Sequence, residues 1–329
     1  MIPTTRRVED TIYRSTLARE GVTLRARKDA PPEPIQDLIQ KVGRRRSSPG
    51  PTAREIIDDE ELEALEGYFG RGLKRDVQQY FQRKIFPPQD SQGPLDLSVR
   101  QHILSHAIPR NNELLGNMPG MPGICQPVPD LLYGYRLGSF TLPQREYLEQ
   151  KGYELQATKF QQYLPFFLVE FKGEGGIARV ATNQCMGGSA CCANITERLN
   201  QQVQACSSVP ATGEPRVDGA IFSVGVHNDF ARLFVSWQRE DGINYETARM
   251  DDFVFHKPAD YIKLRTSILN IIDWGLGERL QQVNAALDLL VAESHQEAAA
   301  ARKAREPPQP LVGPGLAVGI SSGGKRMRY

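Results

Sequence analysis

The stretch that most constrains the fold is Leu164 to Gly173, LPFFLVEFKG. Phe166, Phe167, Leu168, Val169 and Phe171 make a run rich in aromatic and branched side chains, bounded by Pro165 and Gly173. Such a run reads as a strand buried on both faces, the kind found at the centre of a mixed or parallel sheet. Two charges interrupt its end. Side chains alternate along a strand, so Glu170 and Lys172 leave the same face, about 7 Å apart at ~3.3 Å rise per residue. A buried charge costs several kcal/mol unless it is paired or bound to a metal. The rest of the chain is read for what those two charges do.

At 329 residues the chain holds one large core or two ordinary ones. Its formal net charge of +1 gives no global signature of a nucleic-acid binder. The opening MIPTTRRVED carries charges where a signal peptide has its apolar core, and no run reaches the ~18 apolar residues of a membrane span. Five cysteines, an odd number without secretory context, imply reduced thiols. The expected location is intracellular, nuclear or cytoplasmic and not secreted, so the Asn194-Ile195-Thr196 sequon carries no glycan.

Residues 1–52 show little apolar periodicity and read as a disordered tail. Its basic cluster, Lys41 with Arg44, Arg45 and Arg46, is either part of that solvated tail or a nuclear-localisation or nucleic-acid-contacting patch. Residues 53–126 read as a helical N-terminal part. Thr52 or Ser48 caps its start, and seven acids between Glu55 and Glu66 suit a helix N-terminus. Leu62, Leu65, Phe69, Leu73, Val77 and Tyr80 recur at three and four, interrupted by Gly67, Gly70 and Gly72, so the helix is bent or split and stops by Phe86. A shorter helix is expected from Leu97 to Ile108, then a Pro/Gly loop from Asn111 to Val128.

Residues 127–305 read as the core. Leu131, Leu132, Tyr133, Tyr135 and Leu137 form a strand, with Pro129 tolerated at its start, and a polar helix covers Gln144 to Lys151. After the central strand, Cys185, Gly188, Cys192, Ile195, Leu199, Val203 and Cys206 mark one face of a strong helix. A zinc reading of Cys185, Cys191, Cys192 and Cys206 lacks any CxxC pair, and buried structural thiols fit better. Strands at Ala220–Val226 and Ala231–Trp237 flank His227-Asn228-Asp229, which makes His227 a turn residue rather than a catalytic base. A strand near Ile243–Arg249 follows, then helices at Pro258–Ile272 and Gly277 to about Arg305, with a break at Asp273-Trp274-Gly275. Residues 306–329 read as a second disordered tail.

Asp130 and Glu170 supply what a hard divalent cation, Mg²⁺ or Mn²⁺, takes from protein: one or two carboxylates. The carbonyl of Phe171 adds a third ligand and water completes the shell. Beside them, Lys172 would hold a water as hydroxide and stabilise the extra negative charge of an in-line transition state. The alternative is a solvated Glu170–Lys172 ion pair just past the buried part of the strand. Glu-x-Lys alone carries no weight, since Glu149-Gln150-Lys151 repeats it on a polar helix.

Pro129-Asp130 followed by Glu170-x-Lys172, each on its own strand, resembles the PD-(D/E)XK nuclease superfamily. PDLLYGY, LVEFKG and ATNQCMGG together resemble a fungal branch of it. The resemblance implies an α/β (α+β), restriction-endonuclease-like fold of α-β-β-β-α-β connectivity, with a mixed central sheet flanked by helices. It implies a hydrolase using one or two Mg²⁺ or Mn²⁺ ions on DNA or RNA. Asp130 and Glu170 map to metal ligands, Lys172 to the catalytic lysine, and Gln184 to a glutamine early in the following helix. The tyrosine that often follows four residues later is replaced by Gly188. An acid from the first helix is common in the superfamily, and none between Glu55 and Glu66 is singled out. Two other readings remain: a catalytically inactive interaction or nucleic-acid-binding module on the same fold, and a helical scaffold built on the stripe from Leu280 to Val291. Lys159, Lys172, Arg179 and Arg198 are the basic residues placed to meet nucleic acid, and no membrane partner is implied.

Overall fold

In a computed structural model of the chain, residues 7–47, 50–66, 72–88, 93–109, 123–206 and 215–305 are described. Their strands are β1 (Val22–Leu24), β2 (Leu95–Val99), β3 (Leu131–Arg136), β4 (Gln162–Phe171), β5 (Ile221–Val226), β6 (Phe230–Gln238) and β7 (Tyr245–Val254). Their helices are α1 (Tyr13–Arg19), α2 (Glu33–Val42), α3 (Ala53–Ile57), α4 (Glu60–Glu66), α5 (Lys74–Lys84), α6 (Leu142–Lys151), α7 (Ala178–Gln204), α8 (Pro258–Trp274) and α9 (Leu280–Arg305). The strands form one mixed sheet in the order β1-β7-β6-β5-β4-β3-β2. The fold is α+β, as expected. Residues 1–293 form one unit, and in the second, residues 294–329, the described part at 294–305 is helical.

Every residue of the central strand β4 is buried. It pairs antiparallel with β3 and parallel with β5. Read as α5-β2-β3-β4-α7-β5, the connectivity is α-β-β-β-α-β, with α6 inserted between β3 and β4. One face of β4 meets α7, where Gly188 leaves room for the Leu168 side chain. The other meets Phe86, just past α5, whose ring packs on Phe167 and Phe171 at centroid distances of 6.2 and 5.8 Å. Pro165 is accommodated at an irregularity: the β3–β4 register shifts between Tyr133 and Tyr135, and Leu164 takes a φ of 45°.

Several expectations are corrected. The described residues of the expected 1–52 tail, 7–47 and 50–52, are not a tail: α1, β1 and α2 fold, β1 pairs with β7, and Tyr13, Leu17, Val22, Ile35, Leu38 and Val42 are buried. The basic cluster docks on the C-terminal helices, with Lys41 paired to Glu278 and Arg46 to Asp273. The expected helix at Leu97–Ile108 is instead strand β2 and a single 3₁₀ turn at Ser105–Ala107, because β2 completes a ladder with β3. The boundary expected at 127 therefore cuts through the sheet. No break occurs at Asp273-Trp274-Gly275, where a π-helical turn, Gly275–Arg279, joins α8 to α9. A Cβ on Gly275 would lie 2.2 Å from the Phe166 ring, so this glycine serves close packing rather than helix termination. The turn directs Arg279 inward, where it donates to Tyr135 Oη, the Leu164 carbonyl and Thr196 Oγ1 at 3.2, 3.0 and 2.9 Å.

Other expectations hold. Thr52 caps α3 in a capping box with Glu55. The long helix is split into α4 and α5, with residues 67–71 between them outside the described set. Cys185, Cys191 and Cys192 are buried thiols on α7, whereas Cys206 lies past its end and is half-buried. Residues 306–329 lie outside the described residues, as do 111–122 of the expected loop, and no described helix is long and apolar enough to cross a membrane.

Candidate active site

Asp130 immediately precedes β3. The last paired residues of β3 and β4 are Leu131 and Val169, and continuing that antiparallel register one step places Asp130 opposite Glu170. Directly opposed residues share a face, with Cβ atoms about 4.5–5.5 Å apart. Lys172, two residues on, shares that face, and Gln184 reaches it from the second turn of α7. The structure therefore brings Asp130, Glu170, Lys172 and Gln184 together, four residues the sequence places on three elements.

Asp130 Oδ2 accepts the Phe171 N–H at 2.8 Å. A residue's N–H and C=O leave a strand on the same edge, so the Phe171 carbonyl also faces the end of β3. Lys172 Nζ donates to Gln184 Oε1 and stands 3.9 Å from Glu170 Oε2. That carboxylate oxygen is buried and has no hydrogen-bond partner. Burial, then the charge of Asp130, pushes the Glu170 pKa up to about 8 against the opposing pull of Lys172 and Lys74. Burial lowers the Lys172 pKa. Both are the shifts expected of charges held out of water with incomplete compensation. Glu170, Asn183, Gln184, Gly187 and Gly188 line a cavity of about 170 Å³. Asn183 Nδ2 is another buried, unpartnered polar atom. The N-terminal segment covers this cavity: Arg14 Nε donates to Asn183 Oδ1 at 2.7 Å, and Arg179 donates to the carbonyls of Glu9, Asp10 and Thr11.

A larger hollow of about 650 Å³ lies away from this cluster, between Arg25, Glu197, Asp218, Trp237 and Gln282. Three of its carboxylates have partners: Glu246 pairs with Arg25, Glu197 with Arg216, and Asp218 accepts the Ala220 N–H. The smaller cavity differs in that a carboxylate oxygen lining it, Glu170 Oε2, is buried with no partner.

One member of the site was not legible in the sequence. Lys74, the first residue of α5, places its Nζ 2.7 Å from Asp130 Oδ2. Where the superfamily resemblance leads one to expect an acid from the first helix, this chain delivers a base. Of the acids between Glu55 and Glu66, Asp59 is turned to Tyr80 and Lys84, and Glu61 to Arg83. Gly173 makes the placement of Lys74 work: a Cβ on it would sit 2.4 Å from both the Gly72 carbonyl oxygen and the Lys74 nitrogen. The Glu174 N–H ties the crossing by donating to the Gly72 carbonyl at 2.6 Å.

His227 sits at the β5–β6 connection, stacked on Phe230 with centroids 4.2 Å apart. Burial pushes its pKa down to about 4. A folded-state value below the unfolded ~6.5 favours the native state above pH 6.5, and that contribution is lost as pH falls toward 4. From pH 7 to pH 5 the loss is about 2 kcal/mol, at 1.36 kcal/mol per pKa unit. Urea midpoints at the two pH values should show it, and His227→Gln should flatten the difference.

Of the basic residues placed to meet nucleic acid, Arg179 and Arg198 are engaged within the protein, Arg198 with the His106 carbonyl and Glu154. No curated protein and no solved structure matches the chain. The family model described as "Domain of unknown function (DUF7924)" matches residues 73–287, from the start of α5 into α9, and so takes in Lys74, Asp130, Glu170, Lys172 and Gln184. The chain belongs to that family.

Proposed function

We propose that this protein is a divalent-cation-dependent nuclease that hydrolyses phosphodiester bonds in DNA or RNA, on a restriction-endonuclease-like core, inside the cell. The observation that carries the reading is the unmatched Glu170 oxygen, buried opposite Asp130 and beside Lys172. A buried carboxylate oxygen without a hydrogen-bond donor is chemically suited to ligate a cation. Among the described residues no group of three His, Cys, Asp or Glu side chains is placed to hold a metal ion. The ligands of the proposed site are Asp130, Glu170 and the Phe171 carbonyl, a set that suits Mg²⁺ or Mn²⁺, which keep several waters. A bound divalent cation supplies Lewis acidity toward water and phosphate. Lys172, with its lowered pKa, holds the attacking water and faces the charge that develops on the phosphate. Gln184 fixes the Lys172 ammonium by accepting from it. The α-β-β-β-α-β connectivity and the resemblance of the two strand motifs support the same reading.

The test is cleavage of supercoiled plasmid and of single-stranded RNA by the purified full chain in Mg²⁺ or Mn²⁺. Asp130→Ala and Lys172→Ala should each lower the rate by about 10²–10⁴-fold, the usual effect of removing an acid–base or electrostatic group. Cleavage that persists unchanged in both variants, or that appears with no metal, removes the reading.

One observation favours a second reading. Lys74 already occupies Asp130, as a lysine would in a nuclease fold that has given up its cation for an interaction role. On that reading Mn²⁺ leaves the protein's thermal stability unchanged.

A further inference from the structure

The Lys74–Asp130 pair joins two unlike groups. Asp130 is 2% exposed on its side chain, whereas that of Lys74 is 40% exposed. A carboxylate so buried does not stand alone, so whatever displaces Lys74 must itself be a cation. The lysine can leave, because its stem is flexible and solvent is open to it. Both donors to Asp130 Oδ2 are accounted for, the Phe171 N–H at 2.8 Å and Lys74 Nζ at 2.7 Å. A divalent cation shared by Asp130 and Glu170 would stand against the Lys74 ammonium, with Lys172 already 3.9 Å from Glu170 on the other side. Three cations around two carboxylates repel. The backbone cannot relieve this by drawing α5 away, because Gly72-Leu73-Lys74 is locked against Gly173.

We infer that Lys74 is an exchangeable resident cation, holding Asp130 in the metal-free protein and swinging into solvent when a divalent cation binds Asp130 and Glu170. The inference rests on the cation site proposed above and goes beyond it: Lys74 is a positioning residue that sets the affinity and keeps the two carboxylates ordered until the cation arrives. Its removal abolishes a competitor, so the site is competent without first expelling an ammonium. If Lys74 stands off Asp130 in about a tenth of unliganded molecules, the apparent affinity is reduced about tenfold.

The experiment uses the full chain and MnCl₂ as the probe, with two readouts. Calorimetric titration compares wild type with Lys74→Met, and should show Mn²⁺ binding at least about tenfold tighter in the variant. Acetylation of Lys74 by acetic anhydride, read by mass spectrometry, needs no variant. Lys74 should be acetylated severalfold faster with Mn²⁺ than without, and equally fast in metal-free Asp130→Asn. If Lys74→Met binds Mn²⁺ equally or more weakly and wild-type acetylation ignores Mn²⁺, the exchange is overturned while the cation site stands. If neither protein binds Mn²⁺, the cation site falls and the exchange falls with it.

Discussion

Gly173→Ala is expected to destabilise the protein by about 3 kcal/mol, at the upper end of what one added methyl group does in a packed site. The methyl group would meet two backbone atoms at 2.4 Å, and a third, the Leu73 carbonyl carbon, at 2.7 Å. Flexible side chains can turn aside from an added atom, but these atoms belong to the entry into α5. Relief requires the helix start to move, and with it the Lys74–Asp130 pair and the hydrogen bond from Glu174 to Gly72. The effect should read as a lowered urea midpoint together with acetylation of Lys74 in metal-free buffer. Gly277→Ala is the control: nothing lies within 4 Å of a Cβ there, and alanine is the better helix former. A midpoint for Gly173→Ala equal to that of Gly277→Ala would show that the crossing is looser than described.

Glu170→Gln is expected to stabilise the metal-free protein by about 1–3 kcal/mol while abolishing the proposed cleavage. The Glu170 carboxylate is held out of water with incomplete compensation, a cost that the uncharged amide does not carry. The pH dependence has a definite sign. The folded-state pKa of Glu170, about 8, lies above its unfolded value, so its contribution is greatest below the unfolded pKa and is lost as pH rises toward 8. Glu170→Gln removes that slope. A gain in stability bought by loss of activity is the signature of a group held for chemistry. A structural ion pair with Lys172 would show the reverse, because removing one partner of a buried pair destabilises.

The central strand was readable because its composition and length admit few alternatives, and its end gave Glu170 and Lys172 together. Asp130 was readable from Pro129-Asp130 opening a second strand, and the register then sets it opposite Glu170. Gln184 came only from the superfamily resemblance, which implies a glutamine early in the next helix. Lys74 was not readable. In sequence it is one of several charges after a glycine-rich interruption, and only the crossing of residues 72–74 over Gly173 carries it to Asp130. The same limit explains the N-terminal segment: Ile35, Leu38 and Val42 are a short stripe that gains its burial from contact with distant α8. Leu97 to Ile108 read as a helix, because sequence alone does not show that β3 pairs with Leu95–Val99. Gly275 read as a helix break because sequence cannot show that the Phe166 ring would occupy its Cβ position.

The most direct test of the account is the thermal unfolding of wild type and Glu170→Gln across a titration of Mn²⁺. A site that binds the cation in the native state stabilises it by RT ln(1 + [L]/Kd), about 2.7 kcal/mol at a hundredfold excess over Kd. With a cation site at Asp130 and Glu170, the wild-type midpoint climbs with Mn²⁺ while that of Glu170→Gln stays level. A flat wild-type midpoint, or an equal climb in both proteins, would contradict it.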